Sequence, residues 1–240
     1  MREAYYVFRR DIKRFYRSWG AYLLYFSFLM LTSLWVYRID NFLVRNRADF
    51  TSYFSIFPYI LSVIIPALTM GILAEEKNRG TYELLLTQGF SVYSLAVGKY
   101  AAVLVQITVM IILTIPVPLS LVSLGIFDPG RILARYIGVL LFSSTLASLG
   151  LYISALCKKQ VQAFILSLLM LLIAALPRAV LSISAGGGTA AEVLRIVSPW
   201  YHLTSFSKGL LDSRDLVYYG ATTVFFIFLT IRRINLERWS

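Results

Sequence analysis

The chain has 240 residues, of which 58% are hydrophobic and 15% charged, and its net charge is +11. Soluble domains are about half apolar and about a quarter charged, so this composition excludes an ordinary soluble protein and indicates an integral membrane protein. Lys and Arg mark the cytoplasmic side of membrane proteins, so the positive charge is assigned to topology and no nucleic-acid partner is expected. Cys157 is the one cysteine, which excludes an intrachain disulfide.

The first 18 residues predict an amphipathic helix. Tyr5, Phe8, Ile12 and Phe15 recur every three or four positions, and six Arg and Lys residues lie among them. Such a helix is suited to the inner membrane surface. A solvated basic tail is the alternative. The aromatic stripe favours the interfacial helix over residues 1–18, because aromatic side chains are costly to expose to water.

Six apolar runs follow, each near the about 20 residues that a helix needs to cross about 30 Å of hydrocarbon. Helices are expected because backbone groups in lipid must be satisfied within the segment. Prolines in the second, third and fifth runs predict kinks. The predicted fold is an all-α integral membrane protein of one domain, residues 1–240, with spans at about 20–37, 53–73, 100–124, 132–157, 161–184 and 216–231.

An even number of spans puts both termini on one side. If that side is cytoplasmic, the inner segments hold 14 Lys and Arg residues and the outer segments hold 9. This bias, and above all the basic residues before the first span, predicts that both termini are cytosolic. The chain is therefore expected to be a multi-pass protein of the cytoplasmic (inner) membrane of the cell.

Residues 74–99 are charged and lie between two predicted spans, so they are expected in the cytosol. Residues 80–89 predict a short helix that Thr81 caps and that Gly89 ends with a positive φ. Its apolar face is too short to span a membrane and needs a partner surface, in the cytosol or on the same chain. This face consists of Leu84, Leu85 and Leu86.

Glu75 and Glu76, just before this short helix, have three interpretations: ion ligands, solvated charges at a helix exit, or, with the charged residues beside them, groups that fix the helix against a cytosolic partner by charge pairs. We favour the third, because they occur as a mixed set of both signs beside an apolar ridge. Together with Lys77, the residues concerned are Glu75, Glu76, Arg79 and Glu83.

Several short motifs occur between residue 66 and the C-terminus. They are PALTM at 66–70, AEEK at 74–77, GTYELLLT at 80–87, GKY at 98–100 and SPWYH at 198–202, followed by KG at 208–209 and RD at 214–215. Together they resemble the ABC type-2 transporter permeases, and most closely the gliding-motility and NosY-like branch. In one departure, Gly89 stands where this family usually has a proline.

The resemblance implies a permease subunit that pairs with a second copy of itself or with a similar permease. Each half would bind one ABC ATPase subunit, through a coupling helix at residues 80–89, in an exporter-type complex. In the gliding-motility branch an auxiliary membrane protein often accompanies the permease. ATP and Mg²⁺ would then be bound by the ATPase and not by this chain.

The chain itself is predicted to have no catalytic, cofactor or metal site. Its only Gly-Lys pair is Gly98-Lys99, where Tyr93 replaces the first glycine of a P-loop and Tyr100 follows the lysine. Lys99 is expected to snorkel at the start of the third span. With one histidine and one cysteine, the chain lacks the ligands that zinc requires.

Residues 185–215 are too long and too apolar for a simple loop. They predict a glycine hinge at 186–188 and two short helices, 190–197 and 200–211, that dip into the outer leaflet as a re-entrant pair. Candidate outer-gate residues are Trp200, Tyr201 and His202. Arg178, in the fifth span, is a further pathway candidate, although snorkelling to the outer interface is the preferred interpretation.

Two other functions remain open. A secondary transporter or channel without an ATPase should show charges at mid-span or inverted repeats, and the sequence shows neither. A force-transmission subunit, in which ATP cycles move a partner protein, would carry the same coupling helix. The polar residues within the spans suit an amphipathic, lipid-like or polymeric substrate better than a bare ion, and the substrate itself is left open.

Overall fold

The computed structural model describes residues 2–35, 51–80, 82, 91–121, 128–183 and 196–238. These ranges contain eleven helices and no strand. In chain order the helices are α1 (Arg2–Tyr16), α2 (Trp19–Leu34), α3 (Thr51–Ser55), α4 (Phe57–Thr69), α5 (Ala74–Asn78), α6 (Val92–Ile112), α7 (Pro116–Leu121), α8 (Pro129–Leu156), α9 (Gln160–Ile183), α10 (Pro199–Ser207) and α11 (Ser213–Arg238).

Four stretches of these helices are long and apolar enough to cross a membrane. They are Tyr53–Asn78, Val92–Ser120, Pro129–Leu156 and Ser213–Glu237, and they match the second, third, fourth and sixth predicted spans. Where the first and fifth spans are predicted, the described residues form the shorter apolar helices Trp19–Leu34 and Gln160–Leu176. The all-helical membrane architecture is confirmed, and the count of six spans stays a prediction.

Helix α8 lies at the centre of the bundle, in contact with α4, α6, α9, α10 and α11. Its glycines allow close approach: a Cβ on Gly150 would overlap Thr69 of α4, and a Cβ on Gly138 would overlap Phe206 of α10. In a membrane, helices associate chiefly through such close van der Waals contact and through hydrogen bonds between helices. The glycines of α8 therefore set the spacing of the bundle.

Hydroxyl groups join α8 to its neighbours α6 and α11. The oxygens of Tyr100 and Ser144 are 2.8 Å apart, and Thr223 lies 3.2 Å from both Ser144 and Thr145. Such bonds between membrane helices average about 0.6 kcal/mol each. These polar side chains within the predicted spans thus hold helices together.

The second span is interrupted between α4 and α5. Ser154 of α8 bridges the interruption: its hydroxyl accepts from the amides of Leu73 and Ala74, at 3.1 and 3.2 Å, and donates to the carbonyl of Met70 at 3.1 Å. Buried backbone groups require such partners in an apolar environment. The chain can therefore leave the span and start α5 without an unsatisfied backbone.

The prolines act differently in the three runs where kinks are predicted. Pro66 lies inside α4, and in the third run α6 ends at Ile112 and α7 starts at Pro116. In the fifth run, α9 continues through Pro177 without a break. A proline removes one hydrogen bond of a helix. The helix is interrupted near Pro58, which lies in the first turn of α4, and before Pro116, whereas it continues through Pro66 and Pro177.

The predicted N-terminal helix is confirmed as α1, and it packs along α6. A Cβ on Gly98 would lie 2.7 Å from the carbonyl oxygen of Ala4, which shows how closely the two backbones approach. Val7 is buried in this contact, whereas Tyr5 is 57% exposed. The face of α1 that packs on the bundle therefore includes Val7 and leaves Tyr5 outside. The location of α1 at the membrane surface stays a prediction.

Candidate functional site

The predicted coupling segment is described only at its beginning. Helix α5 carries Glu75 and Glu76, and Gly80 follows Arg79 with a φ of 68°. Glycine adopts this left-handed conformation readily and commonly closes a helix C-terminus, so Gly80 ends α5. The other predicted coupling residues lie outside the described part of the chain; they are Thr81, Glu83, Leu84, Leu85, Leu86 and Gly89.

Glu76 belongs to a cluster of Arg10, Asp11, Glu76 and Lys99, which we call the buried charge cluster because Glu76 and Lys99 are buried, although Arg10 at its edge is 41% exposed. The Arg10 guanidinium lies 2.7 Å from one carboxylate oxygen of Glu76, and the Lys99 ammonium lies 2.9 Å from the other. Lys99 also lies 3.2 Å from the Asp11 carboxylate and donates to the carbonyl of Ile72 at 2.9 Å. The side chains of Lys99 and Glu76 are only 1% and 5% exposed.

The buried charge cluster ties α1, α5 and α6 together. Removing one partner of a buried ion pair leaves an uncompensated charge and costs about 3–5 kcal/mol, so the three helices cannot separate cheaply. The prediction that Lys99 snorkels at a helix start is wrong. Helix α6 begins at Val92, which places Lys99 well inside the bundle, and its ammonium reaches carboxylates of α1 and α5.

Glu75 forms a second, more exposed set of ion pairs. One of its carboxylate oxygens lies 2.5 Å from the Arg14 guanidinium and 2.6 Å from the Arg79 guanidinium. The side chains of Arg14 and Arg79 are 42% and 66% exposed. Exposed ion pairs contribute about 0–1 kcal/mol. They therefore orient α5 against α1 more than they stabilise the fold.

Lys77 and Tyr82 connect the same segment to the C-terminal helix. The Lys77 ammonium lies 2.8 Å from the Glu237 carboxylate of α11, donates to the carbonyl of Ala155 in α8, and lies 5.2 Å from the centre of the Tyr82 ring. Burial, and then the nearby Glu237 carboxylate, raises the pKa of the Tyr82 phenol. Tyr82 therefore stays neutral and anchored at the point where the chain enters residues 83–89.

This arrangement suits mechanical transmission. Residues 74–80 contact α1, α6, α8 and α11 through ion pairs and hydrogen bonds, so a displacement of this segment is resisted by those helices. In the described ranges, no group of three or more His, Cys, Asp or Glu side chains is placed to hold a metal ion. The chemistry available here is charge pairing between helices.

The candidate outer-gate residues lie at the opposite end of the bundle, on α10. Trp200 is 2% exposed and packs edge-on against Phe142 of α8, with ring centres 5.1 Å apart. The His202 imidazole lies 2.6 Å from the Asp215 carboxylate and stacks on Tyr218 at 3.9 Å. Tyr201 is exposed. The structure thus places Trp200 and His202 in packed contacts with α8 and α11.

Two predictions for this outer region are only partly described. Helix α10 confirms a short helix after Ser198, ending at Ser207 and not at residue 211. Its predicted partner over 190–197 lies mostly outside the described part of the chain, so the re-entrant pair stays a prediction. Arg178 lies in α9, and its side chain is likewise outside the described part.

Sequence reasoning missed Arg135, which was considered only for its charge. It lies in α8, is 8% exposed, and donates from Nε to the carbonyl of Ser207 at 2.9 Å. Its guanidinium also lies 5.7 Å from the centre of the Phe54 ring. An arginine within a span is itself the signal that could have found it. Its contacts hold the end of α10 against α8.

Fold and site together define a polytopic α-helical membrane protein in which buried charges anchor one connecting segment. The family described as ABC-2 family transporter protein matches residues 36–231, and the chain therefore belongs to this family. It is an ABC permease subunit of the membrane; such permeases are typically non-catalytic, and the family implies an ABC ATPase as partner. A search of curated proteins finds no match. The gliding-motility and NosY-like branch stays a prediction.

Proposed function

We propose that this permease couples ATP hydrolysis by a separate ABC ATPase to the export of a substrate across the cytoplasmic membrane. ATP and Mg²⁺ belong to the ATPase subunit in this proposal. The observation that supports it most is the set of contacts that residues 74–80 make with α1, α6, α8 and α11. A segment that docks on a motor subunit must be joined rigidly to the helices that it moves.

In the proposed mechanism, residues 80–89 form the coupling helix. Leu84, Leu85 and Leu86 dock on the ATPase, and Glu83 sets the register. Closure of the ATPase pair on ATP displaces this helix, and the buried charge cluster passes the displacement to α1 and α6. The permease contributes two packing states with different affinity for the closed ATPase pair, and no covalent step.

We further propose that two permease chains, identical or similar, form the transport unit, with an auxiliary membrane protein as an optional third component. Helix α9 supports a partner surface. Its exposed apolar side chains include Ile165, Leu169, Leu172, Ile173 and Leu176, whereas Ala163 and Leu171 face the bundle. A second permease can cover part of this apolar face, and lipid covers the remainder.

Co-purification tests the proposed function. The tagged chain, extracted from native membranes in mild detergent, is expected to bring down an ATPase that carries a P-loop. After reconstitution of the complex in nanodiscs, ATP hydrolysis should be measurable, and candidate substrates can be followed in proteoliposomes. Recovery of the chain as a stable dimer without any ATPase would contradict coupling. ATP hydrolysis that moves a partner protein and no substrate would contradict export and support force transmission.

Cysteine labelling tests the proposed topology, in which both termini and residues 74–99 are cytosolic. Asn78 and Asp128 lie at opposite ends of the bundle and are both exposed, so neither is shielded from a reagent by burial. In a Cys157→Ser background, Asn78→Cys should resist an impermeant maleimide in whole cells and react after permeabilisation. Asp128→Cys should react in both conditions. The reverse pattern would invert the topology.

A further inference from the structure

A cavity of about 530 Å³ opens between α1, α2, α4 and α6, at the same end of the bundle as the buried charge cluster. Part of its wall is apolar and includes Leu23, Leu24, Ala67 and Leu68. Arg14, Glu75 and Arg79 line it as well and give it a charged side. Cavities of about 300–1,000 Å³ are typical of sites for small molecules. This one combines an apolar wall with a charged rim.

Three cationic side chains and two carboxylates line the cavity, which leaves one excess positive charge. They are Arg14, Arg79 and Lys99, and Asp11 and Glu75. Arg14 and Arg79 approach the same oxygen of Glu75, so two guanidinium groups share one carboxylate. Both side chains keep a large exposed fraction, 42% and 66%, and can turn further donors toward a ligand. The planar guanidinium fork matches a phosphate group geometrically. The rim therefore suits an anion that binds the exposed sides of the two arginines, beside Glu75.

The position of the cavity indicates that part of its ligand is apolar. Trp19, at the start of α2, is 90% exposed, and tryptophan is enriched at the boundary between membrane and water. The arginines of the rim lie on α1 and after α5, and the apolar wall lies on α2 and α4, further along the membrane helices. A ligand that satisfies both parts is anionic at one end and apolar at the other.

We propose that this cavity binds an anionic phospholipid of the adjacent leaflet. The phosphate contacts the exposed N–H groups of Arg14 and Arg79 that Glu75 leaves open, and an acyl chain follows the wall formed by Leu24 and Ala67. Bound lipid would link α1 to α5 and hold residues 74–80 in one orientation. This site goes beyond the coupling function and can be tested on the permease without an ATPase.

The test is lipid retention by the purified full-length chain in detergent. Native mass spectrometry should show one phosphatidylglycerol retained per chain, and phosphatidylglycerol, unlike phosphatidylcholine, should raise the Tm. The double variant Arg14→Gln/Arg79→Gln should lower retention about tenfold or more, because both phosphate contacts are lost. The matched control Arg9→Gln/Lys13→Gln removes two exposed charges of α1 and should retain lipid like the wild type.

A second variant guards against a general loss of structure. Ala67→Phe keeps every charge and fills part of the apolar wall, so it should also lower retention. Equal retention of phosphatidylcholine, or equal loss in the control variant, would overturn the proposal. So would unchanged retention in Ala67→Phe. If inorganic phosphate alone reproduces the rise in Tm, the rim binds free anions and the lipid assignment is wrong. None of these outcomes bears on ATPase coupling.

Discussion

Glu76→Gln is expected to lower the free energy of unfolding by about 3 kcal/mol. The substitution keeps the shape of the side chain and removes the negative charge that faces both Arg10 and Lys99. Lys99 is 1% exposed and cannot replace the lost partner with water. Breaking a buried pair in this way is among the most costly single changes. Thermal unfolding of the purified chain in detergent measures the effect.

The matched control is Asp128→Asn, which makes the same chemical change in an exposed pair. Asp128 lies 3.3 Å from Arg131, with side chains 57% and 66% exposed, so this change should cost less than about 1 kcal/mol. Adding Lys99→Met to Glu76→Gln should cost less than the sum of the two single changes, because Glu76→Gln already removes one of the two carboxylates that Lys99 pairs with. A Glu76→Gln protein as stable as the wild type would show that the buried charge cluster does not hold α1, α5 and α6 together.

The same substitution separates assembly from coupling. Glu76 lies outside the leucine ridge, so the Glu76→Gln chain should still bind the ATPase. The substitution weakens the contacts of residues 74–80 with α1 and α6, however. A displacement of these residues should therefore move the two helices less. ATP hydrolysis in nanodiscs should therefore continue, while substrate movement per ATP hydrolysed falls.

The membrane class, the helical fold and the family could all be predicted from the sequence. Hydropathy is a local property, and long apolar runs leave few alternatives to helices in lipid. The first and fifth runs also form apolar helices, Trp19–Leu34 and Gln160–Ile183, and the count of six spans stays a prediction. The GTYELLLT and PALTM motifs pointed to the family without any tertiary information, because they are contiguous in the chain.

The charge pairing could not be predicted, because it depends on contacts between distant residues. Glu76 forms an ion pair with Arg10 on α1, and Lys77 forms one with Glu237 on α11. The charged residues of α5 were predicted to face a cytosolic partner. In the structure Glu75, Glu76 and Lys77 pair with other helices of the same chain. In the proposed function, binding to the ATPase is assigned to residues 83–89.

Gly98-Lys99 illustrates the difference between a motif and a contact. As a sequence it is only an incomplete P-loop. In the fold, Gly98 allows α1 to approach α6, since a Cβ there would lie 2.7 Å from the Ala4 carbonyl oxygen. Its neighbour Lys99 then forms an ion pair with Asp11 of α1. The close approach and the ion pair therefore support each other, and neither is visible until α1 is placed.

Leu85→Asp is expected to release the ATPase from the permease. Burying one leucine contributes about 1.5–3 kcal/mol, and the ridge of Leu84, Leu85 and Leu86 is the apolar part of the proposed coupling helix. An aspartate there loses this contribution and adds a charge that must be desolvated, so affinity should fall about 100-fold or more. Pull-down of the tagged permease, with quantification of bound ATPase, measures this loss.

The control for Leu85→Asp is Leu236→Asp, which introduces the same charge at the same end of the bundle. Leu236 lies near the end of α11 and is 63% exposed, so its replacement disturbs little packing and lies outside the coupling helix. This variant should keep the ATPase bound. Glu83→Ala should also keep it bound, because a rim charge contributes about 0–1 kcal/mol to affinity, but ATP hydrolysis and transport should become poorly coupled. If Leu85→Asp retains the ATPase at wild-type stoichiometry and activity, residues 80–89 are not the interface. The ATPase must then act on another surface at this end of the bundle, such as α1.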